Sequence, residues 1–181
     1  MADSASRPDP GLPPDTLNDI GVLKRREIEA RVIGPLLARF GDEFGHERVK
    51  ELAAEVVVDI AKQQGAAMAD ALGGNDLSVF AGSMEAWTRG GALELEIVEQ
   101  TDTTFAFNVT RCRYAEMYRE LDMAELGATM SCNRDGTMVE GFNSGIEFTR
   151  TQTIMQGASH CDFVYQLDEA ETAVEIQDQG N

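Results

Sequence analysis

Basic side chains are in short supply: 15 Lys and Arg stand against 32 Asp and Glu, a formal charge of −17 at pH 7 over 181 residues. Binders of phosphate backbones or anionic membrane surfaces need clustered Lys and Arg, so both partner classes are excluded as readings of this chain. Long apolar runs are missing too, and no window approaches the roughly 18 apolar residues that read as a bilayer span. The stretch from Met1 to Pro8 lacks the basic and apolar regions of a secretory signal. Cysteine is scarce and odd in number, with three residues, which reads as free thiols in a reducing compartment rather than a disulfide framework. No G-x-G-x-x-G, P-loop, H-E-x-x-H or G-x-S-x-G pattern occurs, so the familiar cofactor and hydrolase signatures are absent. A cytoplasmic protein with a small-molecule ligand is what these absences leave.

Hydrophobic residues at 43% and charged residues at 26% are close to globular averages, and the length suits one domain with its own core. Residues 1–16 hold four of the five prolines and read as a flexible arm. Residues 168–181 read as an acidic tail, with a short helix around 170–176 as the alternative. The arms carry −7 of the −17, so the domain expected over 17–167 is still acidic. An acidic surface and a helical N-terminal half are compatible with a homo-oligomer.

Between the arms the hydrophobic period changes once. From Leu17 to about Phe44, Ile20, Leu23, Ile28, Val32, Leu36, Leu37 and Phe40 form a helical stripe, which Pro35 is expected to kink or divide near Gly34. A second helix is expected from about Glu47 to Leu72, weakened at Gly65, and a third from Leu77 to about Thr88 with Asp76 as its N-cap. After Gly90-Gly91 the period becomes two. Leu93, Leu95 and Ile97, then Phe105, Phe107 and Val109, predict an antiparallel hairpin. Helical segments follow at Tyr114–Leu121 and Ala124–Met130, then strands over Ile146–Met155 and Cys161–Gln166. Helices and hairpins segregated along the chain predict an α+β fold: N-terminal helices on an antiparallel sheet of about four strands, with a helical insert between two hairpins.

The candidate chemistry gathers near strand ends. Cys112, Cys132 and Cys161 each lie beside a predicted element, and His160 and Asp162 flank the last of them. Three readings compete for the thiols: small buried hydrophobes, a metal site with His160 or a carboxylate, and a nucleophilic or acid–base site. Their spacings of 20 and 29 residues match no compact zinc pattern, and they do not choose among the three. The cofactor is accordingly open, either none or a divalent metal. Arg150 shares the parity of Ile146, Phe148 and Ile154, so it is expected to point inward, paired with a protein carboxylate or clamping a substrate carboxylate. Asn108 lies on the face of its strand opposite Phe105, Phe107 and Val109. Asp135 falls in Asn133-Arg134-Asp135-Gly136, most simply a turn, with Glu140 just beyond.

The run Asn108-Val-Thr-Arg-Cys112-Arg-Tyr114-Ala115 is followed by Glu125-Leu126-Gly127 and Cys132-Asn-Arg-Asp135. Then come Phe142, Ile146, Arg150-Thr151-Gln-Thr153-Ile154, Gly157 and Cys161-Asp162-Phe163. This pattern, over roughly residues 20–166, resembles the L-2-amino-thiazoline-4-carboxylic acid hydrolase family. The resemblance implies hydrolytic opening of a five-membered cyclic amidine that bears a carboxylate, and it points to Cys112, Cys132, Cys161, Asp135, Asn108 and Arg150. Chemistry suggests the roles: a thiol or water as nucleophile, Asn108 as a donor to the tetrahedral intermediate, Arg150 on the carboxylate, and Asp135 or His160 on the proton. The rival classes are a non-catalytic small-molecule sensor and an accessory subunit of a larger enzyme.

Overall fold

The computed structural model describes residues 17–167; the two expected arms lie outside the described residues. After a 3₁₀ turn at Leu17–Ile20, helix α1 runs over Val22–Phe44 and α2 over His46–Leu72. A single residue joins them. Gly45 sits at φ 93°, a left-handed conformation that a side chain would strain, and there the chain reverses. Ala30 of α1 and Val57 of α2 share one buried cluster across the resulting hairpin.

Helix α1 passes through Pro35 undivided, so of the kink or division expected near Gly34 the division does not occur. Gly34 has another purpose: a Cβ there would stand 2.7 Å from Met123 Sδ, so the small residue admits that side chain. The expected third helix is two pieces, α3 (Leu77–Ser83) and α4 (Glu85–Thr88), parted at Met84. Asp76 caps α3 as expected, its carboxylate accepting the Val79 N–H at 2.9 Å.

Strands β1 (Leu93–Gln100) and β2 (Thr104–Cys112) form the first hairpin, and β3 (Ile146–Thr149) and β4 (Cys161–Leu167) the second. The sheet order is β1-β2-β4-β3 with every pair antiparallel. The predicted α+β architecture is therefore present. Helix α5 (Arg113–Glu120), α6 (Ala124–Gly127), a π-helical turn at Ala128–Cys132 and α7 (Arg134–Phe142) make up the insert between the hairpins. One sheet face carries Phe105, Phe107, Val109 and Tyr165 against Phe80 of α3 and Val139 and Phe142 of α7.

Strand β3 is shorter than the period-two pattern predicts, and the reason is local. The Asp162 carboxylate accepts the N–H groups of Thr151 (3.0 Å) and Gln152 (2.9 Å), which would otherwise have joined the ladder. A 3₁₀ turn at Ile154–Gln156 then replaces the expected strand end. The Asn133–Gly136 stretch is likewise no free turn, because from Arg134 it is the first turn of α7.

Helices α2 and α7 meet backbone to backbone. A Cβ on Gly65 would lie 1.9 Å from the Met138 carbonyl oxygen, and one on Gly141 would lie 2.0 Å from that of Lys62. The glycine that weakens α2 in isolation is thus what lets α7 dock. That docking fixes where the N-terminal residues of α7, Arg134 and Asp135, project. No helix among the described residues is long and apolar enough to cross a membrane.

Candidate functional site

A cavity of about 550 Å³ opens between α1, α2, α4, the N-terminal turn of α7 and the ends of β2 and β4. All three cysteines reach its wall from different elements: Cys112 ends β2, Cys132 ends the π-helical turn, and Cys161 starts β4. Asp135 and Arg150 line it as well, so five of the seven expected site residues come together. Trp87, Leu93, Met155 and Phe163 supply much of the apolar wall.

The Arg150 guanidinium donates through Nη1 to an Asp135 carboxylate oxygen and through Nη2 to the Cys132 carbonyl at 3.2 Å. Its plane is seated over the rings of Phe148 and Phe163, 5.5 and 5.2 Å from their centroids, which holds it in one orientation. The inward Arg expected from strand parity is there, with a protein carboxylate as its partner. Asp135 keeps 29% of its side-chain surface because the cavity opens onto it, yet protein surrounds it closely. Burial pushes its pKa up to about 6, and the adjoining Arg150 only partly offsets the rise. A carboxyl poised there exchanges a proton near neutral pH.

The thiols are held in the opposite state from a thiolate nucleophile. Burial pushes Cys112 up to about 11, although its sulfur accepts the Ala115 N–H at 3.4 Å as the N-cap of α5. Cys132 is raised further, by burial first and by the Asp135 charge second. Cys161 is raised by burial against the pull of the Ile154 N–H, which its sulfur accepts at 3.2 Å. At neutral pH all three are neutral S–H groups.

Two expected residues are not brought to the cavity. Asn108 pairs in register with Asp162 and with Glu96, and parity puts its side chain on the sheet face away from Phe107 and Val109. His160 precedes β4 and lies against the Gln152 amide, 2.8 and 3.2 Å from the two ring nitrogens, with Ser159 Oγ 3.0 Å from Nδ1. Neither residue lines the cavity. Glu140 forms an exposed ion pair with Lys62. Among the described residues, no three of His, Cys, Asp and Glu gather as a metal site.

Sequence reading missed Arg26, Gln64 and Arg134, which also line the cavity. Arg134 precedes Asp135 in a stretch whose composition reads as a turn, and the helix that orients it has no local sequence signal. Arg26 carries no sequence signal either: it lies off the Ile28–Val32–Leu36–Phe40 stripe, and only the burial of Val22 and Ala30, four residues to either side, shows it to be on the inward side of α1.

The family model for L-2-amino-thiazoline-4-carboxylic acid hydrolase matches residues 25–165. No curated protein matches the chain. Among solved structures, the phenol-responsive sensory domain of the transcription activator PoxR is similar at 12% identity and a TM-score of 0.49, covering 79% of this chain and 78% of that one. A trafficking protein particle complex subunit 3 from Naegleria fowleri, covalently bound to palmitic acid, is similar at 9% identity and a TM-score of 0.48, covering 80% of this chain and 96% of that one.

Proposed function

This chain belongs to the L-2-amino-thiazoline-4-carboxylic acid hydrolase family, and from that membership we propose that it hydrolyses a C–N bond in a small cyclic amidine or amide, opening the ring. The observation that carries the reading is the Asp135–Arg150 pair on the wall of a recessed cavity, with the Asp135 carboxyl at about 6. Water adds to the sp² carbon between the heteroatoms as Asp135 takes its proton. The ring C–N bond then breaks, and the proton passes from Asp135 to the departing nitrogen. For a 2-aminothiazoline-4-carboxylate the product is an S-carbamoyl amino acid, which balances as substrate plus one water.

Arg150 orients Asp135 and sets the charge beside it. Water is favoured over a thiol as nucleophile because burial keeps Cys112, Cys132 and Cys161 protonated. In this reading the thiols shape the cavity wall, and the cytoplasm is where they stay reduced.

Incubating the full chain with 2-aminothiazoline-4-carboxylate and related cyclic amides, with added divalent metal or with chelator, tests the reading. Ring-opened product that disappears in Asp135→Asn, while the single Cys→Ala variants retain turnover, supports it. Saturable binding with no product under any condition would place the chain with non-catalytic ligand-binding domains.

A further inference from the structure

We propose that Arg134 and Arg26 form a monocarboxylate-binding subsite in the cavity, separate from the Asp135–Arg150 pair. Both arginines are buried, at 8% and 5% exposure, and both line the cavity. Arg26 donates to Glu29, a carboxylate that Arg25 also engages at 2.9 Å. Arg134 donates through Nη2 to the Gln64 amide oxygen, a neutral acceptor. Among the described residues no carboxylate within ion-pair distance serves Arg134, and the neighbouring Asp135 is engaged by Arg150.

Glu29 is shared by Arg25 and Arg26, and Asp135 is held by Arg150, so neither carboxylate is given over to Arg134. A buried guanidinium without a charge partner is costly, and a ligand that brings one negative charge removes the cost. In accord with this, burial and the nearby Arg26 pull Arg134 down to about 10, against the opposing charges of Glu29 and Asp135. One guanidinium without a carboxylate of its own suits a carboxylate ligand, whose two oxygens match its planar fork. Because Arg134 and Asp135 are consecutive on α7, a ring anchored by its carboxylate at Arg134 is delivered to the acid that works on it. The subsite deepens the hydrolase reading by naming the residues that hold the substrate's carboxylate, and it rests on that reading only for the ring.

Calorimetric titration of the full chain with thiazole-4-carboxylate, whose aromatic ring resists hydrolysis, and with neutral thiazole-4-carboxamide tests it without turnover. The carboxylate should bind at least roughly tenfold more tightly than the amide, as expected for hydrogen bonds to a charged group. Arg134→Met should abolish that preference while amide binding persists, and Arg134→Lys should keep part of it. Equal wild-type affinities, or an intact preference in Arg134→Met, would overturn the subsite. So would displacement of the carboxylate by equimolar inorganic phosphate. The wild-type comparison needs no variant to fold. A preserved preference in a protein that opens no ring would leave the subsite standing and sink the hydrolase reading alone.

On the other side of α1 the chemistry reverses. Ile28, Val32, Leu36, Phe40 and Phe44 recur every four residues and are 47–68% exposed. Leu52, Val56 and Ile60 of α2 are 40–57% exposed beside them. Between the helices runs a mainly apolar groove of about 490 Å³, lined by Ile33, Leu37, Val49, Ala53 and Val57, with Arg25, Glu29, Arg48 and Arg134 also on its wall. From this we infer that the face pairs with a second copy of the chain. The eight side chains leave about 800 Å² of surface open, near what one partner gives to a standard-size interface. A ridge and a groove on one face are self-complementary, as a two-fold contact requires. Crossing two copies of α1 antiparallel at Leu36 sets Val32 against Phe40. It also brings exposed Arg31, which Glu27 holds at 2.9 Å within its own helix, beside exposed Asp42 of the other copy.

Sedimentation equilibrium should find a dimer in the wild-type chain and a folded monomer in Val32→Glu/Leu36→Glu. Leu36→Cys should form an intermolecular disulfide under mild oxidant, because the two-fold brings that position onto its own copy. A wild-type monomer, or a dimer that survives the double variant, would overturn the inference.

Discussion

Arg26 and Gly65 are buried on the side of α1 and α2 that meets the cavity and α7, whereas Val32, Leu36, Phe44 and Val56, on the side away from it, are half or more exposed. An ordinary amphipathic helix hides its apolar stripe and shows its charges. Helix α1 does the reverse along much of its length, and the inversion separates two jobs. The inner side holds desolvated charge at fixed positions, which is what a small anion and a proton-transfer group require. The outer side holds unsatisfied apolar area, which is what a protein partner requires.

The comparison can be broken most sharply at Asp135. Asp135→Asn should lower the ring-opening rate by about 10²- to 10⁴-fold, the usual loss of a general acid–base group, measured as kcat/KM. A variant within a factor of two of wild type would mean the inner cavity serves binding alone. Next in size is the α2–α7 contact. Gly65→Ala drives a Cβ into the Met138 carbonyl and should cost about 3 kcal/mol by thermal or urea unfolding. Gly82→Ala, with open space around its Cβ at an exposed position of α3, should instead gain about 0.5–1 kcal/mol.

Adjacent valines on α2 sharpen the contrast further. Val57→Ala, at 4% exposure, should lose about 2 kcal/mol, and Val56→Ala, at 57%, no more than about 0.5 kcal/mol within one protomer. If two copies pair through this face, the Val56→Ala deficit grows as protein concentration falls, and that dependence is the readout.

The last effect is the pH response. With Asp135 acting as a base, kcat/KM should climb with pH through an inflection near 6. The same raised pKa means that the folded state binds this proton more tightly than the unfolded chain does. The stability it contributes is complete below the unfolded-carboxyl pKa of about 4 and is lost as pH rises through about 6. Asp135→Asn should flatten that slope in urea unfolding measured across the interval.

Much of the fold was legible because periodicity is a local property. The alternation of Phe105, Phe107 and Val109 marked β2, and the side-chain oxygen of Asp76 marked the start of α3. The expectation failed where a distant side chain claimed the backbone. The third strand ends early because Asp162 captures Thr151 and Gln152 from across the hairpin. The stretch around Asp135 looked like a turn because Asn, Asp and Gly favour turns locally. It became a helix through docking on α2, at contacts that the missing side chains of Gly65 and Gly141 permit. At the candidate site, parity placed Arg150 inward and Asn108 outward, while the gathering of three cysteines and Asp135 came from four different elements.

By itself the sequence determined the class of fold, the family and the residue types available to the chemistry, because periodicity, turn residues and motif order are written along the chain. Only the tertiary structure decided which side of α1 is the inside, which arginine lacks a carboxylate and which thiols stay protonated. Burial and charge balance depend on what lies across space, and that is set by packing between residues far apart in the chain.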